Sequence, residues 1–326
     1  MRFTRRELLT ASSGAGLALA LPRRSYAASA YPEKNITFII PYGAGGGFDI
    51  FARAIAPAME KRLPHPVNIV PMNIPTGGGG RAMAQMQRTR PDGYTIGVFP
   101  IPGALILQEE QDARGFNLYE FTWLGSIGPG DTYAIGVRAD SPIRSVADMQ
   151  ELSKTRQVSF TCTGPDGTSY MASVIACNLL GINAKYITGY AGSNDYIVAA
   201  MRGDGDAVIA ANTSLRRFQG PDGIRIIATL EKESTLPGIP DATDLGQPDL
   251  GLITIERMVA GPPGLPADLK AILTNALDEA VRDPHIAAWA TSIGVPWAPN
   301  PPGRADAIFR EQAAFFEQWK GLLVES

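Results

Sequence analysis

The sequence predicts an α/β fold built as two lobes, each a mostly parallel sheet flanked by helices, with a ligand cleft between them. Three observations carry that expectation. Short apolar runs alternate with stretches of helical periodicity. The runs end in glycine-rich loops, and in parallel sheets the loops after the strands line the ligand crevice. The strand–helix order also recurs in the second half of the chain at similar size.

In the first half, Ile36 to Ile40 is an apolar alternation that reads as a buried strand. After the glycine loop, Phe48 to Leu63 places Ile50, Phe51, Ala54, Ile55, Ala58 and Met59 at helical spacing. Val67 to Val70 is a second strand, Pro75 to Gly80 a second glycine loop, and Arg81 to Arg90 a helix. Pro91-Asp92-Gly93 is a turn with proline at its first position. Tyr94 to Phe99 is a third strand, completing a βαβαβ order. Phe116 to Ile127 is rich in aromatic residues and reads as core and edge packing.

In the second half, Thr132 to Val137 is a strand, and Ser145 begins a cap-and-helix pattern. Val158 to Thr161 is a strand, followed by the loop Gly164 to Ser169 and a helix from Tyr170 to Leu180 stopped by Gly181. Lys185 to Ile187, the loop Gly189 to Asn194, the helix Asp195 to Arg202 and the strand Ala207 to Ala210 complete a second βαβαβ unit. Arg225 to Leu230 and Leu252 to Val259 are strands, and Ala267 to Val281, Pro284 to Ile293 and Arg304 to Leu323 are helices. The predicted division is 31–129 plus 257–326 for one lobe and 130–256 for the other. Two chain crossings between lobes make a hinge.

The first 30 residues read as a twin-arginine signal peptide. Thr4-Arg5-Arg6-Glu7-Leu8-Leu9 precedes a mildly apolar Ala/Gly/Ser-rich run, and small-x-Ala triplets end at Ala27 and Ala30. The full chain of 326 residues carries a formal charge of −3. Without its arginine-rich leader the mature chain carries about −7. The acidic balance and dispersed Lys and Arg exclude a nucleic-acid partner. No stretch after the leader is apolar enough to span a bilayer, so an exported, periplasmic product is expected. Cys162 and Cys177 close a strand and sit inside the next helix, which reads against a disulfide. His65 and His285 lack companions at ligand spacing, so neither a metal nor a cofactor is expected.

Four of the five residues from Gly43 to Gly47 are glycine. A bare loop before a helix exposes unpaired amides at the positive dipole end, which makes an anion site. Phe48-Asp49 stands where a P-loop needs Lys-Ser/Thr, and Phe48 occupies the place of the dinucleotide motif's third glycine. With no Lys or Arg in the loop, a small carboxylate fits better than a pyrophosphate. A plain glycine turn is the bland alternative.

Pro41-Tyr42-x-x-Gly45-Gly46-Gly47-x-Asp49, Pro75-x-Gly77-Gly78-Gly79 and Pro91-Asp92-Gly93-Tyr94-Thr95 resemble the solute receptors of tripartite tricarboxylate transporters, the Bug-type receptors. Gly164-x-x-Gly167-Thr168-Ser169, Gly189-Tyr190-Ala191-Gly192 and Ala260-x-Pro262-x-Gly264-x-Pro266 are similar to that family's second lobe and return segment, so the likeness covers essentially the whole mature chain. It implies a periplasmic binding protein-like fold that closes on a small organic acid. It also implies a monomer that delivers its ligand to integral-membrane permease subunits. By motif position it implies ligand contacts from Tyr42, Ala44, Gly45, Gly46, Phe48, Asp49, Thr76 and Gly77 on one lobe. Thr163, Thr168, Ser169, Tyr190, Ala191 and Asn212 take the corresponding places on the other. Ala44 replaces the family's usual proline, Phe48 its Thr or Ser, and Tyr170-Met171 stand where a His is common. These departures lean towards an apolar or aromatic acid rather than citrate.

Other readings of the same residues stay open. Asp49 either meets a ligand amine or water, or simply complements the helix dipole. Thr168 or Ser169 either donates to a ligand or caps its helix. A hydrolytic enzyme is disfavoured, because neither His neighbours a glycine loop and no Ser sits in a G-x-S-x-G elbow. A sensor of the same fold, signalling to a partner protein, is the remaining alternative.

Overall fold

The computed structural model describes residues 31–76, 79–109, 115–128, 130–164, 167–295 and 297–324. The twin-arginine segment and Gly77 lie outside the described residues.

β1 (Ile36–Ile40), β2 (Ile69–Asn73) and β3 (Thr95–Ile101) form a parallel group in the order β2-β1-β3. Each of β1 and β3 is buried on both faces, as parallel strands covered by helices require. The crossovers are α1 (Gly47–Glu60) and α2 (Gly80–Arg88). α3 (Ala104–Glu109) and β4 (Thr122–Ser126) follow β3. The aromatic run around β4 does pack as expected. Trp123 stacks on Phe309 with centroids 4.8 Å apart, and Phe121 meets Phe99 at 5.4 Å.

The second half repeats the first. After β5 (Asp131–Arg138) and α4 (Val146–Ser153) come β6 (Val158–Thr161), α5 (Thr168–Leu179), β7 (Ala184–Ile187), α6 (Ser193–Arg202) and β8 (Ala207–Ala211). These strands lie in the order β7-β6-β8, with β6 parallel to both neighbours. α7 (Asn212–Arg216) and β9 (Ile224–Thr229) follow, and β5 pairs antiparallel with both β8 and β9. β10 (Thr254–Gly261) then returns to pair antiparallel with β3 and β4. The chain ends with α8 (Ala267–Val281), α9 (Pro284–Ser292) and α10 (Ala305–Val324).

The two lobes join where β10 begins. Thr254 and Ile255 lie opposite Thr132 and Asp131 of β5 before β10 passes on to β3. The short helices α3 and α7 were not predicted, because neither is long enough to show a period. The predicted strand at Val67–Val70 sits two residues further along, at Ile69–Asn73. Cys162 and Cys177 are free and buried, and burial pushes both thiols up to about 12.

Candidate functional site

The N-terminal ends of α1 and α6 face each other across the lobes, each preceded by a glycine loop. Gly43 N–H donates to Ala191 O at 3.2 Å, and Gly47 N–H donates to Ser193 Oγ at 3.2 Å. From the second lobe, Arg217 Nη2 donates to Gly45 O at 3.2 Å and to Asn194 Oδ1 at 3.0 Å. The glycines permit this approach. A Cβ on Gly46 would lie 3.3 Å from Ser193 Oγ, and one on Gly47 3.2 Å from Ser214 Oγ. Gly45 adopts φ +76, a conformation that disfavours any side chain.

The expectation of bare amides is therefore corrected. Gly45 N–H donates to Asp49 Oδ2 at 2.8 Å and Gly46 N–H to Gly43 O at 3.4 Å, while Gly43 and Gly47 use acceptors of the opposite lobe. The physical reason is closure. Two facing loops that meet satisfy their own backbone donors before a third party does. The glycine loop is a seam between jaws.

Asp49 is 4% exposed and accepts from Gly45 N, Arg53 Nε (2.8 Å) and Asn73 Nδ2 (3.0 Å). Burial raises its pKa, but these hydrogen bonds from Arg53, Gly45 and Asn73 outweigh it and hold the carboxyl below its usual range. Its oxygens brace the loop from within lobe one.

Behind the seam lies a cavity of about 40 Å³. Tyr42, Gly46, Gly47 and Phe48 line it from the β1–α1 loop, and Thr163 and Thr168 from the β6–α5 loop. Gly192, Ser193 and Tyr196 contribute from the start of α6. Tyr133, Ala211, Ser214, Ile255 and Arg257 close it from the hinge side. Tyr42 and Phe48 meet edge-to-face at 5.1 Å. Burial pushes the Tyr133 and Tyr196 phenols well up, so both present neutral hydroxyls. A second cavity, of about 200 Å³, adjoins the hinge between Phe51, Asp131, Asn212, Arg216, Glu231 and Val295, and Arg257 lines both cavities.

Of the motif residues, Tyr42, Gly46, Phe48, Thr163 and Thr168 line the first cavity. Ser169 stands one layer behind, its Oγ accepting from Thr163 N at 3.0 Å. The helix α5 is capped by Gly167 without a side-chain bond, so neither Thr168 nor Ser169 serves as its N-cap. Gly45 and Ala191 belong to the seam, Ala44 and Thr76 are exposed, and Tyr190 donates to Asp204 at 3.3 Å. Asn212 turns to the hinge-side cavity, where Nδ2 donates to Glu231 Oε1 at 2.9 Å.

Sequence reasoning missed Tyr133, Ser193, Tyr196, Ser214 and Arg257. A signal existed for two of them. Ser193 opens α6 at the place Gly47 holds on α1, and Arg257 follows Glu256 as a charged pair within a strand whose later residues, Met258 to Gly261, are apolar.

A profile described as "Tripartite tricarboxylate transporter family receptor" matches residues 51–312. The chain belongs to this receptor family. A UPF0065 protein of Bordetella pertussis is 25% identical over 292 residues, covering 88% of each chain. The solved periplasmic binding protein BugD superposes with a TM-score of 0.81 at 22% identity, covering 90% of this chain and 99% of its own. MatC of Rhodopseudomonas palustris, solved with bound malate, superposes with a TM-score of 0.78 at 18% identity, covering 90% of this chain and all 100% of its own. The two-lobed fold and the family expected from the motifs are thus borne out. The tripartite tricarboxylate transporter receptors are solute-binding proteins of the periplasmic binding type, not enzymes. Among the described residues, no helix is long and apolar enough to cross a membrane.

Proposed function

We propose that this receptor captures a small carboxylic acid between its lobes and delivers it to the integral-membrane permease subunits of a tripartite transporter. The lobes are residues 31–129 with 257–326, and residues 130–256. The first 30 residues direct export to the periplasm by the twin-arginine route and are then removed. The observation that carries the reading is the interlobe cavity behind the glycine seam, in a chain of this receptor family. The malate named with MatC supports a carboxylate ligand. Ligand bridging both lobes adds binding energy only in the closed form, so binding populates the shape a membrane partner recognises. The phenyl and phenol rings of the lining favour an acid with an apolar or aromatic body over citrate.

The test is a thermal-shift screen of mono-, di- and tricarboxylates, paired with native mass spectrometry of the purified protein. A ligand at a hundred times its Kd stabilises by about 2.7 kcal/mol. Aromatic or apolar carboxylic acids are expected to raise the Tm by a few degrees. A response confined to tricarboxylates contradicts the ligand class, and no response to any carboxylate overturns the receptor reading.

A further inference from the structure

Arg257 is the only charged side chain among the described residues lining the first cavity, and it is 3% exposed. Its guanidinium carries five N–H donors on three nitrogens, and among the described residues the one hydrogen-bond acceptor is Asp131 Oδ2, 2.6 Å from Nη2. Its Nε is buried without an acceptor. The guanidinium lies over the Phe51 ring, whose centroid is 4.1 Å from Cζ, with the Phe48 ring centroid 5.7 Å away. A guanidinium does not shed its proton, so its remaining donors keep their desolvation cost until an acceptor arrives. The glycine amides, by contrast, already have acceptors.

We infer that Arg257 is the carboxylate anchor of the cleft and that it selects acids with a single carboxylate on an apolar body. The assignment rests on the receptor reading and sharpens it. A planar fork facing a carboxylate forms paired, charge-assisted hydrogen bonds. Asp131 already neutralises part of the guanidinium charge. A second carboxylate would therefore enter a cavity with no second cation, walled by Tyr42, Phe48, Tyr133 and Tyr196, where an unpaired charge is strongly disfavoured. Arg257 stands on β10 at the junction of the lobes, so a ligand on it also braces the hinge.

The probes are benzoate and its uncharged analogue benzamide, titrated calorimetrically into wild-type protein, Arg257→Met and Arg257→Lys. Losing a charge-assisted pair weakens benzoate binding about 100-fold in Arg257→Met, while benzamide changes less than about threefold. Arg257→Lys keeps the charge without the fork and loses about tenfold for benzoate. It also carries the test if the methionine variant fails to fold. Equal losses for both probes reduce Arg257 to a packing role and overturn the anchor. Wild-type protein that binds citrate but not benzoate overturns the selectivity and leaves the receptor reading standing. Wild-type protein that binds no carboxylate at all fells the receptor reading instead.

Discussion

Glu256 and Arg257 are neighbours on β10 with opposite environments. Arg257 has a carboxylate partner. Glu256 is 8% exposed, and its Oε2 is buried without a hydrogen-bond partner. Burial pushes the Glu256 carboxyl up to about 7, against the opposing influence of Arg257 and Asn300. The folded state thus holds a proton that the unfolded chain, with a pKa of about 4.3, has already released. Stability from this group is complete below about pH 4.3, declines as pH rises towards about 7 and is lost above it, by at most about 1.4 kcal/mol per unit. Glu256→Gln is expected to flatten that slope and to stabilise the protein at pH 8. Urea unfolding of both proteins between pH 5 and 8 measures it, and parallel curves would show that Glu256 ionises freely in the fold. At this scale, Tyr42, Gly46, Phe48, Thr163 and Thr168 of the residues named from the sequence line the first cavity. The sequence did not reveal that Asp49 also ties the loop to Asn73, because that partner is 24 residues away.

At the scale of elements, local signals decided the outcome wherever they were strong. Ser145 caps α4 as its position predicts. Its Oγ accepts from Asp148 N at 3.1 Å, and Asp148 Oδ2 accepts from Ser145 N at 2.9 Å, a reciprocal box. Ser145→Ala is expected to cost about 1 kcal/mol, read as a lowered Tm with no change in ligand affinity. An affinity change would show that α4 communicates with the cleft. The glycine loops were equally visible, yet their work differs from the expectation. A loop preceding a helix exposes amides only while nothing faces it. Here α6 and its own loop do face it, and no local pattern encodes that encounter.

The whole molecule is governed by how close the lobes come. Gly103, just before α3, lies against the second lobe. A Cβ there would fall 2.2 Å from Thr168 Cγ2 and 2.9 Å from Thr168 Cα. The second distance involves backbone, so the clash is relieved only by moving the lobes apart. Gly103→Ala is expected to raise the cost of closure by about 2 kcal/mol, the usual scale of overpacking. Ligand affinity should then fall about 30-fold, with little change in the Tm of the protein without ligand, because each lobe keeps its own core. Small-angle scattering should report a larger radius of gyration. An unchanged radius with unchanged affinity would mean that the contact yields by side-chain rotation alone.

The sequence by itself determined the two βαβαβ units, their glycine loops and the receptor family. Each of these depends on residues close together along the chain, where periodicity and turn chemistry operate. Only the tertiary structure decided what the loops touch. It gave the Gly43 and Gly47 amides to Ala191 and Ser193, brought Tyr133 and Tyr196 to the wall, and set Arg257 beside Asp131, 126 residues away. Those pairings arise from the folding of one lobe against another, and spacing along the chain carries no record of which surface will arrive opposite.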